Sequence, residues 1–387
     1  MDDVTTMANM TTPANVPSEE GEQPYSPASL AIISLIMGVI ISVTIVANFL
    51  VILAYSRVSQ IRDKVGNLLI LNLAVTDFMV GVFSLTFNFV WLLRGFWPLG
   101  EVICKLWLVL DYTICWMSMI TLVLISWDRY CLVSMGLKYK TYQTKKRVGL
   151  ILTVAWTVVL ILVTLIAFAW SPISGESNID YDRMCTMEFI VLNYAPLAIN
   201  LIPFGILLVC IVILNSYVYA NIYQRSKVRL SRLGKVEVKY TTTKPNGKAN
   251  GSPSFSSNMT ITTERLSGNT PEEIEAAEAT TLNTLERGED VADKERITLA
   301  RHRKAAIVLG ILTGVFVVSW LPYITTTVIY AKCMDCVSAT AWEVTEVLGW
   351  CNSTINPFIY AATNLQFRKI LQRYLRVDRW WCGSKRS

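Results

Sequence analysis

The stretch CKLWLVLDYTICWMSMITLVLISWDRY, residues 104–130, decides the fold because it is almost free of charge and yet carries an acid within its apolar run. Asp111 is the only acidic residue between Cys104 and Asp128. From Asp111 to Arg129 a helix would make about five turns and rise about 27 Å, roughly the thickness of a bilayer core. An ionisable side chain inside a membrane span is costly to bury and therefore indicates a functional site. Pairing with a neighbouring helix is the alternative, but no other span carries a central Lys or Arg.

The composition is that of a membrane protein, with 53% hydrophobic and 17% charged residues. Long apolar runs recur, each long enough to cross a bilayer, and they lack the strict alternation of barrel strands. We predict an all-α fold, a seven-transmembrane helix bundle, with spans at 27–54, 67–93, 104–127, 148–170, 189–223, 304–330 and 341–361.

The basic residues predict the orientation. The connections after spans one, three and five are rich in Lys and Arg, whereas those after spans two, four and six hold few. Positive charge stays on the cytoplasmic side, so we expect an extracellular N-terminus and a cytoplasmic C-terminus. The net charge of +6 is then a topology signal that also attracts anionic lipid, and no nucleic-acid partner is expected.

The remaining segments are polar. We expect residues 1–26 to form an extracellular tail glycosylated at Asn9, and residues 224–303 to form a disordered third cytoplasmic loop. Spans one to five occupy 27–223 and spans six and seven occupy 304–361. Residues 362–387 form the cytoplasmic tail, in which Cys382 is a candidate for lipidation.

The cysteines at the expected outer face predict two disulfides. Cys104 opens span three and Cys185 lies in the loop before span five, so a bridge would pin that loop over the mouth of the bundle. Cys333 and Cys336 form a CxxC between spans six and seven. Zinc would need two more ligands, and the sole histidine, His302, is expected at the other face, which favours a local disulfide.

Short motifs occur in a fixed order along the predicted spans, and together they resemble the rhodopsin-like G-protein-coupled receptors. Each motif alone is weak, whereas the complete series in the matching spans is specific. The resemblance covers nearly all of the chain and implies a plasma-membrane receptor with a short amphipathic eighth helix from Phe367. In chain order the motifs are Asn48, LAVTD ending at Asp77, Asp128-Arg129-Tyr130, Trp156, Trp320-Leu321-Pro322-Tyr323 and Asn356-Pro357-Phe358-Ile359-Tyr360.

The resemblance is closest to receptors for small cationic amines, because their amine-binding aspartate falls on Asp111. CKLWLVLDY followed by Cys115, together with Trp350, resembles the third and fourth histamine receptor subtypes, and we expect histamine as the agonist. FWPLG at 96–100 and Tyr112 resemble the muscarinic acetylcholine receptors, the alternative. Span five has no acid where those histamine receptors carry one, and Asn200 is the candidate for the far end of the ligand.

The residues alone support the same site. Asp111 would hold an ammonium group by a charge-assisted contact, and the aromatic faces around it would form a cation–π cage. Ordinary core packing is the alternative for any single aromatic residue. Glu346, at the outer end of span seven, would attract a cation or be solvated. The predicted walls of the cage are Tyr112, Trp320, Tyr323 and Trp350.

A second polar set lies deeper in the predicted bundle. In relatives such residues hold a sodium ion, for which oxygen atoms are suitable ligands, and a water-filled hydrogen-bond network is the alternative. No other cofactor is expected. The set consists of Asp77, Ser118, Asn352, Ser353 and Asn356.

The resemblance also implies coupling to a heterotrimeric G protein, of the Gi/o class, with arrestin and receptor kinases as further partners. We expect Arg129 of the Asp128-Arg129-Tyr130 triplet to pair with Asp128 at rest. Relatives often hold this arginine with an acid at the foot of span six, where His302 stands here. The span-seven residues expected to take part in activation are Asn356, Pro357 and Tyr360.

Other classes of protein fit the sequence less well. A transporter would favour inverted repeats and broken helices, and no internal repeat is visible. An enzyme would need a nucleophile with its base, and no such pair is evident. Span seven has no lysine for a retinal Schiff base.

Overall fold

The structure, a computed structural model, describes residues 25–174, 179–181, 183–191, 195, 197–233, 271–363 and 365–375. The chain divides into a larger unit, Met1–Ala220 with Lys304–Ser387, and a smaller unit, Asn221–Arg303. The described residues are almost entirely helical and contain no strand, which confirms the predicted all-α class. The larger unit holds all of the sites below.

Eight long helices follow one another along the chain. They are α1 (Pro27–Arg57), α2 (Gly66–Arg94), α3 (Gly100–Met135), α4 (Lys145–Ser174), α5 (Ile202–Leu233), α6 (Pro271–Lys332), α7 (Ala339–Thr363) and α8 (Leu365–Leu375). A π-helical turn, Val80–Ser84, lies within α2, and another, Leu197–Leu201, precedes α5. Shorter helical turns occupy Ser59–Arg62, Gly136–Lys138, Tyr139–Tyr142, Glu188–Val191 and Met334–Cys336.

Local sequence signals explain where several helices begin and end. Ser26 caps α1 by accepting a hydrogen bond from the backbone N–H of Ser29 at 3.2 Å, and Pro27 takes the first helical position, where its missing N–H costs nothing. Gly95 ends α2 in the left-handed conformation, φ 75°, which glycine adopts without steric cost. These signals hold the entry of α1 and the turn between α2 and α3.

The helices expose apolar side chains and bury polar ones, which is the reverse of the pattern in a water-soluble protein. Six of them, α1 to α6, contain stretches long and apolar enough to cross a membrane. Large apolar side chains such as Leu35, Val102 and Val318 stand exposed on their outer faces. Polar side chains such as Asn48 and Asp77 are instead buried between helices. Six of the seven predicted spans thus have the length and composition of a span; α7 has 25 residues, enough to cross, but carries two acids.

Two clusters of buried apolar side chains stabilise the bundle, one toward each end. We call these ends the disulfide end and the Arg129 end. The disulfide end holds Cys104, Cys185 and a stack of tryptophans in which the rings of Trp97 and Trp107 are 5.2 Å apart. The Arg129 end holds a second cluster that includes Phe316 and packs Phe367 of α8 against α7. The α8 helix confirms the predicted eighth helix.

The predicted start of the fifth span lies in a short helical turn. Residues Glu188–Val191 form this turn, and the turn Leu197–Leu201 leads directly into α5. Phe189 and Ile190 are buried in the apolar cluster of the disulfide end, which accounts for their apolar character. The sequence carries a proline at 196, a residue suited to the first turn of a helix.

The predicted disordered segment 224–303 is partly wrong. Helix α5 continues to Leu233 and α6 begins at Pro271. The sequence after residue 271 is rich in Glu, Ala and Leu, which favour helix even without apolar burial, and a proline followed by two glutamates suits a helix start. Residues 234–270 lie outside the described residues, as do most of the N-terminal tail with Asn9 and the C-terminal segment with Cys382.

Candidate functional site

A disulfide fastens the segment before α5 to the start of α3. Cys104 is bonded to Cys185, with 5.5 Å between their Cα atoms, which confirms that predicted pair. The backbone N–H of Trp97 donates to the carbonyl of Arg183 at 2.9 Å and holds the same segment to the turn after α2. Cys333 and Cys336 are joined within the turn between α6 and α7. The connections at this end are therefore fixed covalently.

A buried lysine, which sequence reasoning missed, strengthens this attachment. The Lys105 side chain is 9% exposed, and its Nζ lies 2.8 Å from Glu101 Oε1 and 3.6 Å from Glu188 Oε1. The Tyr181 hydroxyl donates to Glu188 Oε1 at 3.1 Å, and the Lys105 Nζ lies 5.1 Å from the centre of the Tyr181 ring. Burial, reinforced by the charge of Glu188, raises the pKa of the Tyr181 hydroxyl. The Glu101–Lys105 spacing could have suggested a helix ion pair, but nothing in the sequence points to Glu188.

A cavity lies among α3, α5, α6 and α7, with Asp111 on its wall. It contains about 750 Å³ of space, part of it open to solvent. The eight residues predicted to bind ligand all line it: Asp111, Tyr112, Cys115, Asn200, Trp320, Tyr323, Glu346 and Trp350. The structure adds six further lining residues: Trp116, Met119, Leu201, Phe204, Ile324 and Thr327.

The Asp111 carboxylate is nearly enclosed, at 8% exposure, and faces the cavity. The Cys115 thiol lies 3.9 Å from Asp111 Oδ1, and Ser84 and Trp350 lie close by. Within the described part of the chain, none of the ion pairs involves Asp111. Lys105, on the same helix, is already held by two glutamates. The arrangement therefore leaves Asp111 able to bind a cation that enters the cavity.

Aromatic rings line the same cavity as this carboxylate, and some of them belong to a connected series. On α6, Trp320 and Tyr323 meet edge to face with ring centres 5.8 Å apart, and Trp320 lies 6.1 Å from Phe316 below it. Tyr323 also meets Trp342 of α7 at 5.6 Å. Such faces are electron-rich and attract organic cations. The walls thus suit a ligand whose charged end is an ammonium group.

The α5 side of the cavity carries a buried amide. The Nδ2 of Asn200 meets no acceptor within hydrogen-bond distance among the described residues, although the Tyr112 hydroxyl on the same wall lies near enough to interact with it. Asn200 lies in the π-helical turn Leu197–Leu201, a kind of irregular turn often found at functional sites. The residue predicted to contact the far end of a ligand therefore lines the cavity beside Tyr112.

The second polar set is assembled in the middle of the bundle. The Asn356 Nδ2 donates to Asp77 Oδ2 at 2.9 Å, and Asp77 is wholly buried. Asp77 Oδ1, Ser118 Oγ and Asn352 Oδ1 are buried and have no hydrogen-bond partner within the part of the chain that the structure describes. The Ser353 side chain also interacts with Asp77, and the Ser353 carbonyl accepts from Asn48 Nδ2 at 3.0 Å. The set therefore offers a buried carboxylate and further buried oxygen atoms, which are suitable ligands for a small cation.

At the Arg129 end an ion pair and hydrogen bonds converge on Asp128. Arg129 Nη2 lies 3.4 Å from Asp128 Oδ2, as the sequence predicts. The Tyr139 hydroxyl donates to Asp128 Oδ1 at 2.8 Å, and Gln143 Nε2 lies 3.4 Å from the same oxygen. Burial, with the neighbouring charge of Asp128, raises the pKa of Tyr139. The side chain of His302 lies outside the described residues.

Three tyrosines make ring contacts between helices at this end. Tyr130 packs against Tyr217 of α5 with ring centres 4.8 Å apart. Asn356, Pro357 and Tyr360 are buried in α7, and the Tyr360 ring lies 6.3 Å from Phe367 of α8. The predicted activation residues of α3 and α7 therefore lie at helix contacts, where a change of packing would move them.

Comparison with known proteins agrees with this architecture. The model of the 7 transmembrane receptor (rhodopsin family) matches residues 47–360. The chain is 31% identical over 346 residues to the Probable G-protein coupled receptor No18 of Amphibalanus amphitrite, covering 88% of each chain. It is 28% identical over 354 residues to the human 5-hydroxytryptamine receptor 1F, covering 90% of this chain and 93% of the relative. It is also 28% identical over 459 aligned positions to the Muscarinic acetylcholine receptor M4 of Gallus gallus, covering 92% of each.

Proposed function

We propose that this chain, which belongs to the rhodopsin family of seven-transmembrane receptors, is activated by a small cationic amine that binds to Asp111. It is a receptor and not an enzyme. The observation that carries the proposal is the Asp111 carboxylate, which shares a cavity with aromatic rings and has no ion-pair partner among the described residues. A charge left unpaired in a partly dry cavity is costly, and a cationic ligand removes that cost.

The identity of the amine is a finer proposal. Histamine is the first candidate, because Cys115 and Trp350 line the cavity where the histamine receptors of the third and fourth subtypes carry the same residue types. The relatives that match the chain are named for 5-hydroxytryptamine and for acetylcholine, so these two amines are the alternatives. Asn200, which lines the α5 side of the cavity, would contact the far end of 5-hydroxytryptamine or acetylcholine.

The orientation and partners follow from the same proposal. Disulfides form in oxidising compartments, so the disulfide end would face outside and the Arg129 end would face the cytoplasm. A heterotrimeric G protein, of the Gi/o class, would bind at the Arg129 end when the receptor opens. Arrestin and receptor kinases would act at the same face, and the apolar outer surfaces would lie in plasma-membrane lipid.

The polar set around Asp77 would hold a sodium ion. Three buried oxygen atoms there have no hydrogen-bond partner among the described residues, and one belongs to a carboxylate, so the residues present fit a small cation. The ion would neutralise the buried carboxylate. Asp77, Ser118, Asn352, Ser353 and Asn356 would keep α2, α3 and α7 together in the resting state, and an agonist that favours another helix arrangement would oppose them.

The proposal is tested by amine potency in cells that express the full chain. Histamine, 5-hydroxytryptamine and acetylcholine are applied to wild type and to Asp111→Asn, which keeps the size and removes the charge, with second-messenger output as the readout. A charge-assisted hydrogen bond is worth about 1.5–3 kcal/mol, so the active amine should lose potency about ten- to 150-fold.

Surface expression of Asp111→Asn, measured in parallel, controls for folding. Ser126→Ala is the matched variant, because Ser126 is a buried residue of the same helix that does not line the cavity. An amine that acts on Asp111→Asn with wild-type potency would show that the amine does not bind to this carboxylate.

A further inference from the structure

The cavity holds a second acid besides Asp111. We propose that the natural ligand carries a second basic group, separated from the first by a short spacer, and that Glu346 binds it. This inference rests on the proposed function, because it assigns Asp111 to the first ammonium group. The ligand class is then a small diamine, an aminoalkylguanidine or an aminoalkylimidazole rather than a simple monoamine.

The spacing of the two acids follows from α7. Trp350 lies close to Asp111, and Glu346 precedes Trp350 by four residues on the same face of the helix. Four residues rise about 6 Å along a helix, so the second carboxylate lies about one turn from Asp111 toward the start of α7. That start follows the Cys333–Cys336 turn, so Glu346 stands between Asp111 and the disulfide end. A ligand entering from that end would meet both acids.

The charges of the cavity leave Glu346 without a protein cation. None of the described residues that line the cavity is basic, and no described ion pair includes Glu346. Two carboxylates in one partly dry cavity repel each other, and burial also removes part of the hydration of each. A single ammonium group at Asp111 neutralises only one of the two carboxylates. A second basic group on the ligand would neutralise the other.

The neighbouring acid Glu343 provides a built-in comparison. It lies one turn nearer the start of α7, and its Oε2 accepts a hydrogen bond from the Tyr25 hydroxyl at 2.9 Å. It does not appear among the described residues that line the cavity. Glu343 is therefore held by Tyr25 outside the cavity. Glu346 has a hydrogen-bonding neighbour in Trp342 but no cation, and it lines the space that a ligand would fill.

The experiment compares amines that differ only in the second basic group. The full-length receptor is tested with 1,4-diaminobutane against n-pentylamine, which has the same number of chain atoms, and with histamine against 2-phenylethylamine. Potency is measured by G-protein activation in membranes, and binding by the thermal stability of the purified receptor, so that silent binders are also detected. The variants are Glu346→Gln, Glu346→Asp, Glu343→Gln and Asp111→Asn.

The expected result is a selective loss. Glu346→Gln should weaken the diamine and histamine at least about tenfold, the value of one charge-assisted contact, and leave the two monoamines within about twofold. Glu346→Asp, which keeps the charge, should recover part of the loss. Glu343→Gln should change neither class, and this also shows that a loss in Glu346→Gln is not a general effect on α7.

Two outcomes would overturn the inference, and they differ in what else they remove. If Asp111→Asn lowers the potency of the amines but Glu346→Gln changes the potency of dibasic and monobasic amines equally, the contact with Glu346 is refuted. The proposal that the chain is an amine receptor is then unaffected. If no amine of the set binds to or activates wild type at normal surface expression, this inference fails, and the proposed function fails with it only if 5-hydroxytryptamine and acetylcholine are inactive as well.

Discussion

A glycine at the start of α2 makes room for the ion pair at the Arg129 end. A Cβ atom added at Gly66 would lie 2.7 Å from Arg129 Nη2 and 2.9 Å from Asp128 Oδ2, both too close for van der Waals contact. Asp128 is wholly buried and held by Tyr139, so it has little freedom to move. Arg129, at 25% side-chain exposure, is the flexible member. Gly66→Ala should therefore displace the guanidinium and break the pair.

The size of the effect follows from the position of the pair. Arg129 and Asp128 are 3.4 Å apart with the arginine partly solvated, so their interaction is worth about 1 kcal/mol at most. If this interaction is made only in the resting state, losing it shifts the equilibrium toward the active state by about fivefold. We expect Gly66→Ala to raise ligand-free signalling up to about that factor. Some stability should be lost as well, because the buried Asp128 must also shift, and the higher helix propensity of alanine offsets only part of that cost.

The assay is basal second-messenger output at matched surface expression. Gly314→Ala and Gly149→Ala are the controls, since both glycines are helical and a Cβ at either position meets no atom within 4 Å. Asp128→Asn removes the same ion pair directly and should raise basal output in the same direction. Basal output of Gly66→Ala equal to that of both controls would refute the idea that this pair restrains the receptor.

Two further predictions concern the disulfide end and the cavity wall. Lys105→Met leaves the Glu188 side chain, which is 5% exposed, without its cation, and should destabilise the purified receptor by about 3–5 kcal/mol. Much of this loss should be recovered in the double variant Lys105→Met/Glu188→Gln. Equal melting temperatures for wild type and Lys105→Met would contradict the prediction. Gly349→Ala places a Cβ 3.3 Å from two atoms of the Trp320 ring, so the ring must shift. Overpacking of this kind costs about 1 kcal/mol or more of stability, which should lower the melting temperature of the purified receptor, whereas Gly314→Ala should leave it unchanged.

The sequence predicts the parts of this receptor that depend on local pattern. Long apolar runs identify α1 to α6 because bilayer thickness sets a minimum helix length. Asp111 is visible because a charge is conspicuous in such a run. The eight predicted ligand-binding residues line one cavity because each of them was assigned to a predicted span, and helices place their side chains regularly.

Some features could not be predicted because they depend on contacts between residues far apart in the sequence. Others could not be predicted because an apolar or polar segment is compatible with more than one structure. The ion pair between Lys105 and Glu188 joins a helix to a loop, and the periodicity of the sequence does not predict it. Phe189 is apolar because it packs at the disulfide end, but in sequence it is indistinguishable from the start of a span. A polar composition alone predicts disorder after Pro271, but Glu, Ala and Leu favour helix even in water, and this segment is helical.

The aromatic series on α6 links the amine cavity to the Arg129-end cluster. Trp320 lines the cavity and lies 6.1 Å from Phe316, which is 1% exposed, belongs to that cluster and stacks on Phe204 of α5 at 5.7 Å. A ligand that moves the Trp320 ring must therefore also disturb the packing of Phe316, because close-packed interiors transmit displacement rather than absorb it. By contrast, α3 runs unbroken from Gly100 to Met135, so Asp111 and Arg129 are fixed relative to each other. If a ligand displaces Trp320, α6 is therefore the element through which that displacement would reach the Arg129-end cluster, while α3 would keep Asp111 and Arg129 at a fixed separation.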